Sequence, residues 1–370
     1  MPETAIWIDV GDATELASRA LQEVDARGTK IALVHRDGAF TALSGVCNHV
    51  GGPLGAGRLD GEYVVCAWHH WRFHAATGRG FPGHGEQAVP AYAVKVAGGR
   101  VLVDLASATP RVKKPFVPHP LARPVVREPG PVRVVGISTT NRNAEYPRYS
   151  TSEALLEVAL GHAKDALGAR TTLIRLDELA FRACEGYYSV SAHACTWPCT
   201  ITSQDPDDQL DRVYEALVHG ADVILVATPI RWGAPSSLYL KMVERMNCVQ
   251  NQQTLADRVL MKDKVAAFLI TGGQDNVQAV AGQMLTFFAE IGCQFPQFPF
   301  IAHSRGWTAE DMENNVRTVA ASAELHQGAR ALVERAVDLS KTLLAGTLHQ
   351  GDHTPGGRKS HPLDARDRAP

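Results

Sequence analysis

Several things are scarce in this chain of 370 residues. No apolar run approaches the ~20 residues needed to cross a bilayer, so neither a spanning helix nor a membrane partner is expected. Charge is nearly balanced, with 37 Lys and Arg against 39 Asp and Glu and a formal net charge of -2. Nucleic acid and anionic membranes attract a concentrated basic field, which this sequence lacks. The opening stretch MPETAIWIDVGD carries acids but no Lys or Arg, so no basic leader is expected and the cytoplasm is the default compartment. Cysteines are few and odd in number at seven, which suits metal ligation or free thiols better than a disulfide framework. What is present is ordinary for a globular protein: 45% hydrophobic and 21% charged residues, in a length that suggests about two domains.

Residues 4–104 run in short β-like pieces, KIALVHR, AFTALSG, YVVCAW, YAVKVAG and VLVDL, divided by Gly and Asp turns. That pattern predicts a small, mostly antiparallel β domain over 1–106. Seven prolines from Pro110 to Pro131 remove backbone donors and disfavour helix, so 107–131 reads as a partly extended interdomain linker. From Val132 apolar strands alternate with helical stretches: VRVVGIST, TTLIRL, DVILVATP and KVAAFLITGG, with a last short strand near FPFIAH. Four or five such strands predict an α/β, doubly wound parallel sheet over 132–346. One long amphipathic helix is expected around 308–344. The polar, Gly- and Pro-rich remainder, 347–370, reads as a disordered tail.

Two short motifs concentrate ligating residues. CNHVGG at 47–52 pairs Cys47 with His49, and CAWHHW at 66–71 pairs Cys66 with His69, each at a loop between β-like pieces. A tetrahedral zinc could take two Cys and two His, but zinc sites usually bring like ligands in C-x2-C knuckles. One thiolate and one imidazole from each loop suit a dinuclear cluster, in which one iron collects the cysteines and the other the histidines. Glycines around both motifs let backbone N–H groups approach the sulfides. His70 competes with His69 on composition, and the C-x2-H spacing favours His69; His74 and His84 read as surface or turn residues.

Both loops resemble the Rieske 2Fe-2S motif, C-x-H followed by C-x2-H, over roughly residues 4–105, including GGPL after the first loop and F then TG after the second. The resemblance implies a 2Fe-2S cluster held by Cys47, His49, Cys66 and His69. It departs from the family at Ala67 and His70, where proline and glycine are usual. High-potential members add a cysteine to each loop and a serine that hydrogen-bonds the cluster. This chain has neither cysteine, and Trp71 stands at the serine's place. Fewer donors to the sulfides imply a potential in the lower part of the family's range, within reach of a flavin or a nicotinamide.

In the second half, the first strand runs into GISTTNRNAEYPRYSTSEALL, a loop of hydroxyls, Asn and arginines that enters a helix N-terminus and suits a phosphate. G-x-G-x-x-G and G-K-[ST] are both missing, which favours a monophosphate such as that of FMN over a dinucleotide or a nucleoside triphosphate. ATPIRWGAPSS and ITGGQDN place turns at the C-terminal edge of the sheet, where open α/β folds bind ligands. Together, TPIRWGAPSS and TGGQ resemble the flavin loops of the flavodoxin-like NAD(P)H-dependent FMN reductases, over roughly 132–306. The resemblance implies FMN as cofactor and NAD(P)H as electron donor. Carried over by position, Ser138, Thr140, Arg142, Ser150, Thr151 and Ser152 would serve the phosphate. Pro229, Ile230, Arg231, Trp232 and Gly233, then Thr271, Gly272, Gly273 and Gln274, would line the ring. The stretch NAEYPRY lengthens the first loop relative to the family's compact form. The same Ser and Thr residues could instead cap the helix, and the glycines could merely turn the chain. Cys184, Cys195 and Cys199 fall where iron-sulfur flavoproteins of this family carry four cysteines; His193 is the candidate to complete the set, and plain thiols are the simpler reading.

Electron numbers give the functional expectation. A nicotinamide delivers two electrons, a Rieske cluster takes one at a time, and a flavin adapts between them. The chain is therefore expected to be an oxidoreductase that passes electrons from NAD(P)H through FMN to the cluster and on to an unknown acceptor. Hydride transfer to a flavin requires no side-chain acid or base, so no catalytic residue is assigned. Two other readings stand beside it: an electron carrier without nicotinamide activity, and a quinone, nitro or azo reductase with an accessory cluster. A homo-oligomer is implied by the resemblance alone.

Overall fold

The computed structural model describes residues 5–346 apart from 50, 82–85, 114–117, 144, 147–148, 191, 206, 273–275 and 307. His84, Gly273, Gln274 and the expected tail at 347–370 lie outside the described residues, as does the side chain of His193. The chain forms two compact units: 1–128 with 175–219 and 235–261, and 129–174 with 220–234 and 262 onward.

The first unit opens with β1 (Trp7–Asp12), the short α1 (Ala13–Leu16), β2 (Leu21–Ala26), β3 (Thr29–Arg36) and β4 (Ala39–Ser44). After them come β5 (Arg58–Asp60), β6 (Tyr63–Val65), β7 (Arg72–His74), β8 (Ala91–Ala97) and β9 (Arg100–Asp104). A six-stranded antiparallel sheet has the order β1-β9-β8-β4-β3-β2, and β5-β6-β7 form a separate three-stranded sheet. The β3–β4 hairpin turns through Asp37 and Gly38, both at positive φ (52° and 78°), the conformation that a two-residue hairpin matching strand twist requires. Strand β3 is apolar on both faces. Ile31 and Leu33 pack with Ile8, Val101 and Val103, while Ala32 and Val34 pack with Leu43, Leu54, Phe73 and the sulfur-bearing Cys47 and Cys66.

Beyond the proline-rich stretch the elements run β10 (Arg133–Ser138), α2 (Thr151–Asp165), β11 (Arg170–Arg175), α3 (Tyr187–Val190), α4 (Thr200–Gln204), α5 (Asp211–Tyr214), β12 (Val223–Pro229), α6 (Ser237–Arg245) and α7 (Asn247–Ala256). The chain continues with β13 (Val265–Gly272), α8 (Val277–Glu290), β14 (Phe300–Ser304), α9 (Ala309–Ala321) and α10 (Ala323–Leu344). The sheet order is β11-β10-β12-β13-β14, with β10, β12, β13 and β14 paired in parallel. This is the doubly wound, flavodoxin-like order, and its direction reverses between β10 and β12. Leu155, Leu156 and Ala159 of α2, with Leu332, Val333 and Ala336 of α10, bury one sheet face carrying Val134, Leu225, Ala267 and Leu269. On the opposite face Phe268 meets Phe288 of α8, ring centroids 5.5 Å apart.

Two sequence expectations are corrected here. The single helix expected over 308–344 is two, because Ser322 leaves helical geometry (ψ 101°) and its hydroxyl accepts the Leu325 N–H as the cap of α10. The proline-rich stretch is also more than a spacer. Val112 exchanges two backbone hydrogen bonds with Ala88, and buried Leu121 accepts hydrogen bonds from Trp197 Nε1 and His219 Nε2, both at 3.0 Å. Farther along in the same unit, Arg245 is wholly buried against Asp208 (2.6 and 2.9 Å). It also donates to Thr202 Oγ1, the Arg182 carbonyl and Cys199 Sγ. Burial would raise the Asp208 carboxyl, but Arg245 and Thr202 hold it below the usual range.

Candidate functional site

The loop after β4 carries Cys47 and His49, and the loop after β6 carries Cys66 and His69. Backbone bonds fold each back on itself: Cys47 N–H donates to the Gly52 carbonyl (2.9 Å), and Cys66 N–H to that of Trp71 (2.8 Å). Cys47, Cys66 and His69 are 3%, 1% and 3% exposed. The two thiols hydrogen-bond one another, and backbone N–H groups converge on them, from His49 toward Cys47 and from Trp68 and His69 toward Cys66. The interaction with Cys47 draws the Cys66 thiol down against the burial that opposes it, while the same interaction and burial push Cys47 up. The imidazoles of His49 and His69 lie edge to face with centroids 4.4 Å apart, their Nδ1 atoms shielded from solvent. Trp71 stacks on His49 at 4.8 Å and 8°. His70 turns elsewhere, its ring 3.9 Å from that of Tyr187. His74 sits beside Glu62 (3.8 Å) and Tyr63.

This donor set fits a 2Fe-2S cluster. The two thiols interact with one another, as do the two imidazoles. Gly52 is part of the cradle, since a Cβ there would stand 2.9 Å from Cys66 Sγ.

Side chains distant along the chain anchor the first loop. Asn48 donates to Gln87 Oε1 (3.2 Å) and to the carbonyls of Ala88 (3.0 Å) and Val112 (2.7 Å), and accepts from Arg111 Nη1 (2.5 Å). Arg111 also reaches Ser44 Oγ and the Val46 carbonyl. An arginine 63 residues away has no local spacing that could announce this role.

In the second unit, a cavity of about 340 Å³ lies at the C-terminal edge of the sheet and is lined by parts of all three flavin-type loops. Thr140, Ser150, Thr151 and Ser152 come from the first loop, Pro229, Ile230, Arg231 and Trp232 from the second, Thr271 and Gly272 from the third. Thr140 Oγ1 lies 2.7 Å from Ser150 Oγ and 3.3 Å from Ser152 Oγ, a hydroxyl cluster at the N-terminus of the 15-residue α2. Ser150 also caps that helix. Thr151 Oγ1 meets Thr271 Oγ1 at 2.6 Å, tying the first loop to the third. Hydroxyls at a helix N-terminus fit a phosphate, and the mixed apolar and polar walls fit a flavin.

Ser138 and Arg142 do not line the cavity. Ser138 is buried and donates to Glu153, and Arg142 pairs with the same carboxylate at 3.0 Å. Gly233 lies outside the lining too; its carbonyl accepts from Asn276 Nδ2 (2.8 Å). Tyr149, Asn315 and Val316 also line the cavity and were not anticipated. Asn315 arrives on α9, far from any flavin-type motif, and donates to the carbonyls of Gly272 (3.0 Å) and Arg305 (3.3 Å). Three of the five other thiols, those singled out in the sequence, are committed locally: Cys184 Sγ accepts from Gly186 N–H, Cys195 Sγ from Asn247, and Cys199 Sγ from Arg245. Burial pushes the Cys195 thiol up to about 11.

Comparison with known proteins finds two family matches along the chain. Residues 6–93 match the Rieske [2Fe-2S] domain, and residues 132–308 match NADPH-dependent FMN reductase. The ferredoxin component of the naphthalene 1,2-dioxygenase system of Pseudomonas aeruginosa is 31% identical over 102 residues, 28% of this chain and 98% of that protein. A probable 3-ketosteroid-9-alpha-monooxygenase oxygenase component of Rhodococcus rhodochrous is 32% identical over 68 residues, 18% of this chain and only 17% of that longer protein. Among solved structures, RosB with a bound formylriboflavin phosphate intermediate is 18% identical, covers 64% of this chain and 85% of its own, and has a TM-score of 0.45. The two matched families imply a 2Fe-2S cluster, FMN and a nicotinamide donor. Matched on sequence and carrying paired thiols and imidazoles on adjacent loops, the chain belongs to the Rieske [2Fe-2S] family, with an NADPH-dependent FMN reductase domain fused behind it.

Proposed function

We propose that this protein couples oxidation of NAD(P)H to one-electron transfer at the Rieske site. When bound, FMN supplies the exchange between a hydride donor and one-electron acceptors, and the 2Fe-2S cluster supplies a one-electron station. The observation that carries the reading is the pair of donor sets in one chain: two buried thiols with buried His69 and half-buried His49 on neighbouring loops, and a hydroxyl-lined cavity where the parallel sheet reverses its order.

In this reading Cys47 and Cys66 hold one iron and His49 and His69 the other. The N–H groups of His49, Trp68 and His69 stabilise thiolate charge. Thr140, Ser150, Thr151 and Ser152 bind the FMN phosphate at the positive end of α2, while Arg142 offsets the Glu153 carboxylate beneath it. Pro229, Ile230, Arg231, Trp232, Thr271 and Gly272 receive the ring, and Gly233 shapes the turn with its φ of 71°. The extension of this wall through Gly273 and Gln274 remains part of the proposal. The acceptor is a separate redox protein, a reading supported by the similarity to a dioxygenase-system ferredoxin component. We also take the protein to be cytoplasmic and homo-oligomeric. No described helix is long and apolar enough to cross a membrane, and the cysteines are all free.

Anaerobic addition of NADPH or NADH to protein loaded with both groups tests the coupling, with flavin followed by absorbance and the cluster by EPR. Flavin bleaching followed by an EPR signal from the cluster is the expected result. Bleaching with a cluster that stays oxidised would remove the coupling, and no bleaching with either nicotinamide would favour an electron carrier fed by a separate reductase.

A further inference from the structure

His70 holds an unusual position. It adopts a left-handed backbone (φ 56°), which residues with a Cβ disfavour, directly beside the candidate ligand His69. A strained residue at a functional loop invites the question of what holds it there. Its ring leaves the His49 and His69 pair and packs on Tyr187, centroids 3.9 Å apart at 45°. Tyr187 belongs to the same compact unit, though it lies far along the chain, and it is 9% exposed.

Tyr187 is itself braced. Its hydroxyl donates to Glu185 Oε2 at 2.7 Å, and Glu185 pairs with Arg182. The Arg182 carbonyl accepts from buried Arg245 at 2.7 Å, and its N–H donates to Asp208 at 3.0 Å. A buried ion pair therefore fixes the segment that presses on His70.

We propose that Tyr187, acting through His70, closes the imidazole side of the Rieske site to water and so lowers the reduction potential of the cluster. The inference rests on His49 and His69 being iron ligands. Reduction adds one electron, so the reduced cluster carries one more negative charge than the oxidised one. Water stabilises that extra charge, and walls that exclude water disfavour it. Glu185 brings a negative charge near His70, but Arg58 and Arg72 bring positive charge there as well, which acts against a lowered potential. Exclusion of water therefore carries the effect. Tyr187 is a positioning residue that need not touch iron.

The test compares wild type with Tyr187→Ala, Tyr187→Phe and His70→Gly. Iron and acid-labile sulfide are assayed first; then midpoint potentials are measured by optical redox titration, with EPR of each reduced protein. Tyr187→Ala and His70→Gly should load normally and shift the potential positive, whereas Tyr187→Phe, which keeps the ring, should shift it less. His70→Gly relieves the left-handed strain, so it decides the matter should Tyr187→Ala fail to fold. Loaded Tyr187→Ala and His70→Gly proteins with the wild-type potential would overturn the proposal, as would loss of iron on His70→Gly alone, since His70 would then be a ligand. Wild-type protein without iron or sulfide would instead remove the ligand assignment beneath it.

Discussion

A methyl group at residue 52 would stand 2.9 Å from Cys66 Sγ and 3.1 Å from the Trp68 ring, closer than real Cβ contacts come. Gly52→Ala should therefore lower iron and sulfide content while leaving FMN content unchanged, which metal assay and flavin release would separate. A second residue-scale prediction concerns Lys264, 5% exposed with Nζ donating to the Ala221 carbonyl at 2.6 Å. Burial, aided by Arg133, pushes its amine down to about 8 from 10.5. Below pH 8 the amine is protonated in both folded and unfolded chains and the burial penalty, roughly 3 kcal/mol, stands in full. Between about 8 and 10.5 the unfolded chain binds the extra proton, so stability rises with pH, and above that window the penalty is gone. Lys264→Met should stabilise the protein near neutrality and flatten that rise, as denaturation of both proteins from pH 7 to 10.5 would show. At this scale the candidate ligands and their spacings are legible in CNHVGG and CAWHHW. The roles of Arg111 and Lys264 are not, because each depends on chain brought in from elsewhere.

Among the elements, strand order and helix termini decide what the cavity can hold. Apolar runs such as DVILVATP announce buried parallel strands, and the Ser150 cap with Glu153 three residues on announces α2. The break at Ser322 was hidden because the amphipathic pattern continues across it. Helix α9 matters beyond packing, since Asn315 joins the ends of β13 and β14. Its Nδ2 is spent on the Gly272 and Arg305 carbonyls, so its Oδ1 must accept, and His303 Nε2 at 2.7 Å must carry the proton. Asn315→Leu would leave both carbonyls and the imidazole N–H to find other partners and would loosen the Gly272 wall. We expect FMN affinity to fall about tenfold, near 1.4 kcal/mol, the scale of one lost hydrogen bond. Quenching of FMN fluorescence on titration would measure it, and unchanged affinity with a lowered melting temperature would assign Asn315 to packing alone.

For the molecule as a whole, the sequence marks a change of composition at 107–131, yet the beginning of that stretch closes the loop of Cys47 and His49. Arg111 binds Asn48, Ser44 and Val46, and Val112 pairs with Ala88. Composition reveals where donors are lost to proline, but it does not reveal which residues between the prolines find partners. Hydrogen bonds to a charged group contribute about 1.5–3 kcal/mol where shielded, and less where water competes. A fragment of residues 1–106 lacks this clamp, and one of residues 1–113 keeps it. Both lack Tyr187, so a comparison between them isolates the contribution of residues 107–113. The longer fragment should hold its cluster several-fold longer at a given temperature, measured as the loss of visible absorbance with time. Equal rates would place the grip on the first loop within residues 1–106 and reduce Arg111 to a surface contact.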